Sequence, residues 1–384
     1  METNMQLYQT GTTSKTIYDR TILYLSEKYD LRFNTISLEL EIRVKNGFNF
    51  WSGLNINSLL IELVQAGIEI SMSKLEILVK SHLIEQYNPL KEYFVNLPKW
   101  DEVDHIAKLC SYLKTNDDKA FCYHFEKWIT RAVVCALKDD YVNKQCFVLT
   151  SGQNTGKSYF LRFLIPKSLE AYYTENLSVD KDGIIAICKN LLCNLDELAV
   201  LSKSDVNTLK SFISKNSANV RLPYARKAEF LQRICSFVGS TNRLDFLTDE
   251  TGSVRWLIFD VLKIDFNYSS KIDINKVWAQ AFYNAFERKN YNPELTAQDV
   301  IENEIRNECY REISIEEEVA LEHFENGKSQ SDFLTPSDIK LAMENALGLK
   351  LNRVNIGKAL TKLKYQRIKH PKRQVYGYVI RRKT

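Results

Sequence analysis

No stretch of the chain is apolar over the roughly 20 residues that a membrane-spanning helix needs. Residues 1–6 lack the basic and apolar parts of a secretion signal, so the sequence points to the cytoplasm. None of the eight cysteines forms a C-x-x-C pair, and the five histidines make no ligand cluster with them. Reduced core thiols are expected, rather than disulfides or a zinc site. Acidic residues are missing from Asn345 onward, a stretch that carries twelve Lys and Arg. The whole chain nets +4, so the remainder nets −8. A basic end on an acidic body suits a polyanion partner. A solvated basic tail is the plain alternative, and the apolar pattern of that segment speaks against it.

At 384 residues, 45% hydrophobic and 26% charged, the chain is long enough for two or three folded domains. Its most informative segment is Ser151-Gly152-Gln153-Asn154-Thr155-Gly156-Lys157-Ser158, which follows the apolar run 146–149 and precedes an apolar helical pattern. Strand, glycine-containing loop and helix in that order form a phosphate cradle. The backbone curls at Gly156, Lys157 reaches the β- and γ-phosphates, and the Ser158 hydroxyl ligates Mg²⁺. The pattern departs from G-x-x-x-x-G-K-[ST] only at Ser151, which stands in the first glycine's place. ATP and Mg²⁺ are the cofactors this P-loop reading calls for.

A P-loop needs a second acidic site. The run 191–195 ends in Asp196 and Glu197, where Asp196 is expected to hold the metal and Glu197 to polarise the attacking water. A third strand, 234–239, leads to Asn242, placed to sense the γ-phosphate. Arg255 precedes a fourth strand, 256–259, and is a candidate arginine finger for a neighbouring subunit; a surface ion pair is its ordinary alternative. Between the acidic pair and Asn242 lie Arg221, Tyr224, Arg226 and Lys227. Basic residues around a tyrosine suit a loop that tracks single-stranded nucleic acid; a solvated basic loop is the other reading.

The segments organise as follows. Residues 1–87 read as a small α/β or mainly helical domain. It holds a candidate hairpin over 31–34 and 38–42, a helix over 57–65, and a capping-box pattern at Ser73-Lys74-Leu75-Glu76. Residues 88–145 read as helical, with an aromatic stripe from Phe121 onward that suits a core. Residues 146–265 alternate strand and helix, as an α/β parallel sheet requires. Residues 266–332 read as a helical segment ending in a linker at 326–331. Residues 333–384 give helix, helix and basic hairpin, a winged-helix-like order. Thr335 and Pro336 start its first helix and Gly348 ends it. Val354, Ile356, Leu360 and Leu363 are the expected apolar positions of the second, which carries Arg353, Lys358 and Lys362, and Lys372 and Arg373 sit in the hairpin turn. A small helical cap with a basic surface is the alternative.

Taken in order, these motifs resemble the virulence-associated E family, grouped with superfamily 3-type P-loop helicases of phages and plasmids. The likeness runs over about residues 88–260. It starts at Asn88-Pro89-Leu90 and Lys99-Trp100-Asp101, and passes through the P-loop, Leu195-Asp196-Glu197-Leu198 and Phe212-Ile213-Ser214. It continues with Pro223-Tyr224-Ala225-Arg226 and Gly239-Ser240-Thr241-Asn242-Arg243, and ends at Asp249-Glu250-Thr251-Gly252-Ser253-Val254-Arg255-Trp256. The resemblance implies an AAA+-like ATPase core working on DNA as a ring, a hexamer, in replication of a mobile element; a separate primase is a candidate partner. By that match Lys157, Asp196, Glu197, Asn242 and Arg255 take the ATPase roles, and 221–227 takes the place of the DNA-contacting hairpin. Ala225 stands where the family often has glycine. Val254 stands where it often has a further arginine. Two functions remain in play: a DNA-stimulated helicase or replication initiator, and a nucleotide-switched DNA-binding regulator without unwinding. A small-molecule kinase would leave the basic end unused.

Overall fold

The computed structural model describes residues 16–383 apart from 48–49, 176, 179, 197, 199–202, 222–226, 243–246, 248–253, 312 and 371–373, and apart from the side chains at 203–206 and 330. The chain divides into two compact units, Met1–Arg243 with Val254–Arg306, and Leu244–Ser253 with Asn307–Thr384. Among the described residues no helix is long and apolar enough to cross a membrane.

The first unit begins with α1 (Ile17–Lys28), β1 (Tyr29–Asn34), β2 (Glu39–Val44), β3 (Ser52–Gly53), α2 (Ile56–Gln65), α3 (Met72–Val79) and β4 (Glu85–Tyr87). The strands form a sheet in the order β3-β2-β1-β4. The expected hairpin is β1–β2, antiparallel, with Leu31 opposite Ile42 and Arg32 opposite Glu41. Period-two alternation explains the register. Tyr29, Leu31 and Leu40 pack against the helical core of Leu25, Leu59, Leu63 and Leu75. Arg32–Glu41 and Arg43–Asp30 pair across the strands. This region is therefore α/β and not mainly helical. The capping box expected at Ser73–Glu76 is absent: Ser71 is the extended residue before α3, and its side chain makes no cap bond.

Next come α4 (Pro89–Val95), α5 (His105–Cys110), β5 (Leu113–Thr115), α6 (Asp118–Leu137), β6 (Cys146–Thr150), α7 (Lys157–Phe163), β7 (Tyr173–Thr174), α8 (Lys181–Lys189) and β8 (Leu192–Leu195). They are followed by α9 (Lys203–Ser214), β9 (Ser217–Val220), β10 (Glu229–Gln232), β11 (Ser236–Thr241), β12 (Trp256–Ile264), α10 (Tyr268–Lys271), α11 (Ile274–Phe286) and α12 (Ala297–Asn307). Six strands form one sheet in the order β5-β12-β6-β11-β8-β7. β12, β6, β11, β8 and β7 run parallel, and β5 is antiparallel to β12. Runs buried on both faces read as the unbroken apolar segments that marked them in the sequence. β5 interrupts the region expected to be helical, just before the break expected around 115–118. Leu113 and Thr115 are buried and Lys114 exposed, an alternation too short to read in three residues. The aromatic stripe of α6 is core: Phe121, Phe125 and Trp128 pack on Phe147 of β6, and Phe121 also on Phe259 of β12.

The second unit contains α13 (Ile315–His323), β13 (Phe324–Asn326), β14 (Phe333–Leu334), α14 (Pro336–Leu347), α15 (Arg353–Lys362), β15 (Arg367–Lys369) and β16 (Tyr376–Arg382). Thr335 and Asp338 form a reciprocal capping box at the start of α14, and Gly348 closes it at φ +68°, a conformation that disfavours a side chain. The expected linker at 326–331 is folded into this unit. The Gly327 N–H donates to the Val379 carbonyl, and the backbone of Ser329 bonds Asp332. Its polar, glycine-containing composition marks a tight turn, not a tether. Val354, expected in the core, is 59% exposed; Ile356, Ala359 and Leu360 carry the buried face of α15.

Candidate active site

The loop after β6 lies at the C-terminal edge of the six-stranded sheet. Asn154 and Gly156 both adopt positive φ, 60° and 93°. Asparagine tolerates that region. Gly156 suits its positive φ, and the tip of the Phe266 ring stands 2.5 Å from where a Cβ would lie. Lys157 opens α7 and folds back under the loop. Its Nζ donates to Ser151 Oγ at 2.7 Å, the Gly152 carbonyl at 2.9 Å, Asn242 Oδ1 at 2.9 Å and the Ser151 carbonyl at 3.2 Å. The lysine is 6% exposed. Burial pulls its pKa below the ordinary lysine value, with the charges of Asp196 and Asp260 acting the other way.

The sheet order explains which residues meet here. β11 lies between β6 and β8. Because all three are parallel, the residues leaving them emerge on one edge: the loop from β6, Asn242 from β11, Asp196 from β8. Asp196 is exposed. The Ser158 hydroxyl donates to its Oδ1 at 3.3 Å, and the Ser240 hydroxyl of β11 donates to the same oxygen. Thr155 Oγ1 donates to the Gly152 carbonyl at 2.9 Å, bracing the loop. Gln153 is exposed on it.

Thus Ser151, Gly152, Lys157, Ser158, Asp196 and Asn242 come together. Arg255 does not join them. Its carbonyl accepts from the Cys146 N–H, at the start of β6. Five strand residues at roughly 3.3 Å each separate that level from the loop, about 16 Å within one chain. Its Nε donates to Ser214 Oγ at 3.1 Å. Glu197 lies outside the described residues. The β9–β10 hairpin, antiparallel with Val220 opposite Glu229, brackets the basic stretch. Arg221 and Lys227 are exposed at its end, while Tyr224 and Arg226 lie outside the described residues. In the second unit Arg353 and Lys358 are exposed on α15. Lys362 sits 3.4 Å from Glu317 and 3.5 Å from Glu308. Lys372 and Arg373 are outside the described residues. Sequence reasoning missed Ser240 and Asp260. A small polar residue inside an apolar strand was the signal for Ser240, and ordinary strand ends share it. Asp260 lies opposite Thr150 in the β6–β12 register.

The fold is mixed α/β, with a polar loop site at the C-terminal edge of the mainly parallel six-stranded sheet. The chain belongs to the virulence-associated protein E-like domain family, whose model matches residues 94–311, more than half of its length. Among solved structures it is similar to the apo structure of the NrS-1 C-terminal region (305–718), with a TM-score of 0.55 at 14% identity over 96% of this chain and 100% of that one. An A-form apo structure of the same region gives 0.54 at 14% identity, over 96% and 100%. Another A form gives 0.53 at 15%, over 95% and 99%. At such identity the likeness speaks for the fold. No curated protein matches the chain.

Proposed function

We propose that the chain is a P-loop ATP hydrolase that drives a DNA helicase or replication initiator of a phage or other mobile element, working as a homo-oligomeric ring, a hexamer. The observation that carries this reading is the meeting of Lys157, Ser158, Asp196 and Asn242 at one sheet edge. A phosphate chain entering the loop exchanges the four oxygens on Lys157 for its own. Ser158 and Asp196 offer a hydroxyl and a carboxylate that already converge, a hard-oxygen pair suited to Mg²⁺. That ion would neutralise charge on the phosphates. Asn242, bonded to Lys157, is placed to feel the terminal phosphate, and Glu197 follows Asp196 in sequence as the water-orienting group.

Arg255 stands at the opposite edge from its own loop, so its finger role requires a neighbouring copy. The exposed Arg221 and Lys227, with Tyr224 and Arg226 between them, supply the DNA-tracking loop. The second unit is read as a winged-helix-like DNA-binding domain, with Arg353 and Lys358 on α15 and Lys372 and Arg373 in its hairpin as phosphate contacts. A separate primase is a candidate partner. The test is ATP hydrolysis by the purified chain with and without single-stranded DNA. Stimulation by DNA, lost in Lys157→Ala, supports the motor. Nucleotide binding with no DNA-stimulated turnover overturns it in favour of a switch. Mixing Lys157→Ala with Arg255→Ala chains is expected to restore part of the activity, because the intact loop of one then meets the intact finger of the other.

A further inference from the structure

The geometry points to Phe266 as the platform on which the base of a purine nucleotide stacks. This rests on the reading of the 151–158 loop as the phosphate site. The order β12-β6-β11-β8 gives that site a direction. Asp196 and Asn242, the groups for the terminal phosphate and its metal, both lie on the β11–β8 side of the loop. The nucleoside end of a bound triphosphate therefore leaves toward β12, on the other side of β6. The segment that follows β12 is Asp265-Phe266-Asn267.

Phe266 has the chemistry and the placement for a base. Its ring edge lies directly against Gly156, so close that a side chain there would have to displace the ring tip. Yet it is 53% exposed, an aromatic ring left in water beside a polar loop. The backbone that carries the ring is fixed on both sides. The Asp265 N–H donates to the Tyr112 carbonyl and the Tyr268 N–H to the Asp265 carbonyl, while the Asn267 N–H bonds Asp265 Oδ1. Two residues on, Tyr268 is buried edge-on against Phe160 and Phe163 of α7, the helix that the loop opens into. Loop and ring are thus parts of one packed body. A stacking face selects by area, not by hydrogen-bond pattern. Every base can stack on it, the larger two-ring purines more strongly than pyrimidines, and the phosphate contacts are left untouched.

The experiment compares binding of ATP, CTP and inorganic tripolyphosphate, each with Mg²⁺, to the full chain and to Phe266→Ala, Phe266→Trp and Lys157→Ala. The wild type is expected to prefer ATP over CTP. Phe266→Ala should weaken ATP by roughly five- to hundredfold, the range for one base stacked on an aromatic ring, and erase the ATP-to-CTP preference. It should leave tripolyphosphate binding as it was, with Phe266→Trp restoring both ATP affinity and preference. Lys157→Ala should weaken all three ligands together. Unchanged ATP binding in Phe266→Ala overturns the platform, and so does an equal loss of ATP and tripolyphosphate, which would make the ring only a brace for Gly156. A wild-type chain that binds neither ATP nor tripolyphosphate overturns the phosphate reading itself, and the platform with it.

Discussion

Lys157 and Lys127 are buried to nearly the same degree, 6% and 5% exposed, yet their surroundings are opposite. Lys127, on α6, is tied 2.8 Å from Asp299 of α12 and also donates to the Glu294 carbonyl. Burial works against its charge, but the contacts with Asp299 and Tyr123 more than offset this and its pKa is raised. The three N–H groups of Lys157 are shared among four neutral oxygens, and among the described residues no carboxylate forms an ion pair with it. A buried cation with its own counter-ion is a strut; one held by exchangeable neutral oxygens can accept an anion. Neutral acceptors alone do not make the distinction. Arg233, fully buried, donates to the carbonyls of Phe212, Lys215, Cys235 and Asn143, inside the packed structure. Lys157 differs by standing at the strand ends beside the exposed Asp196.

The comparison breaks most visibly at its functional end. Lys157→Ala is expected to lower ATP turnover by about a thousandfold or more, since a phosphate-binding cation acts mainly in the transition state. The same variant should keep its fold by circular dichroism. Lys127→Ala should do the reverse, losing stability while the folded fraction keeps its turnover. If both lysines affect turnover equally, the division into strut and anion site is wrong.

Removing the counter-ion is the next largest effect. Asp299→Ala leaves the Lys127 ammonium buried without its carboxylate and should cost about 3–5 kcal/mol in denaturant unfolding. Replacing both partners with apolar residues, Lys127→Met with Asp299→Leu, should recover most of that loss. No such rescue is available to Lys157. A pH series sharpens the point. Burial raises the Asp299 carboxyl, but the bonds from Lys127 and Thr296 prevail and bring it to about 2. A carboxyl lowered in the folded state stabilises above its unfolded pKa, near 4, and loses that contribution as pH falls toward 2. The wild type should therefore lose up to about 2 kcal/mol more than Asp299→Asn between pH 5 and 2.5. Parallel curves would refute the pairing.

Much of this site was legible in the sequence because it is built from contiguous stretches. The four parallel strands, their polar ends and the loop at 151–158 each carry a local signal. What was illegible is pairwise. The short strand β5 exists because β12 runs past Phe259 to Ile264 and offers it an edge, and nothing within 113–115 announces that. The Lys127–Asp299 pair spans 172 residues of sequence. Arg255 could be numbered among the site residues from its motif, but only strand direction reveals that it sits at the far edge from its own loop. In the second unit the capping residues Thr335 and Gly348 were readable for the same local reason as the loop. The engagement of Lys362 by Glu317 and Glu308 was not, so Lys362→Ala should weaken DNA binding less than Arg353→Ala.

The smallest effect tests the departure at Ser151. Its hydroxyl makes the shortest of the four contacts to Lys157, 2.7 Å, a bond that a glycine in that position lacks. An incoming phosphate must displace it, so the hydroxyl competes with the nucleotide for the ammonium. Ser151→Gly removes the competitor while the two carbonyls and Asn242 still hold the lysine. The bond is to a charged group, but the neighbouring oxygens and the incoming phosphate replace most of what it supplies, so the net gain is about 1 kcal/mol and ATP should bind up to about fivefold more tightly. Looser binding in Ser151→Gly would mean that the hydroxyl positions the lysine for the phosphates instead of occupying it, and the contrast with Lys127 would then rest on Asn242 and the carbonyls alone.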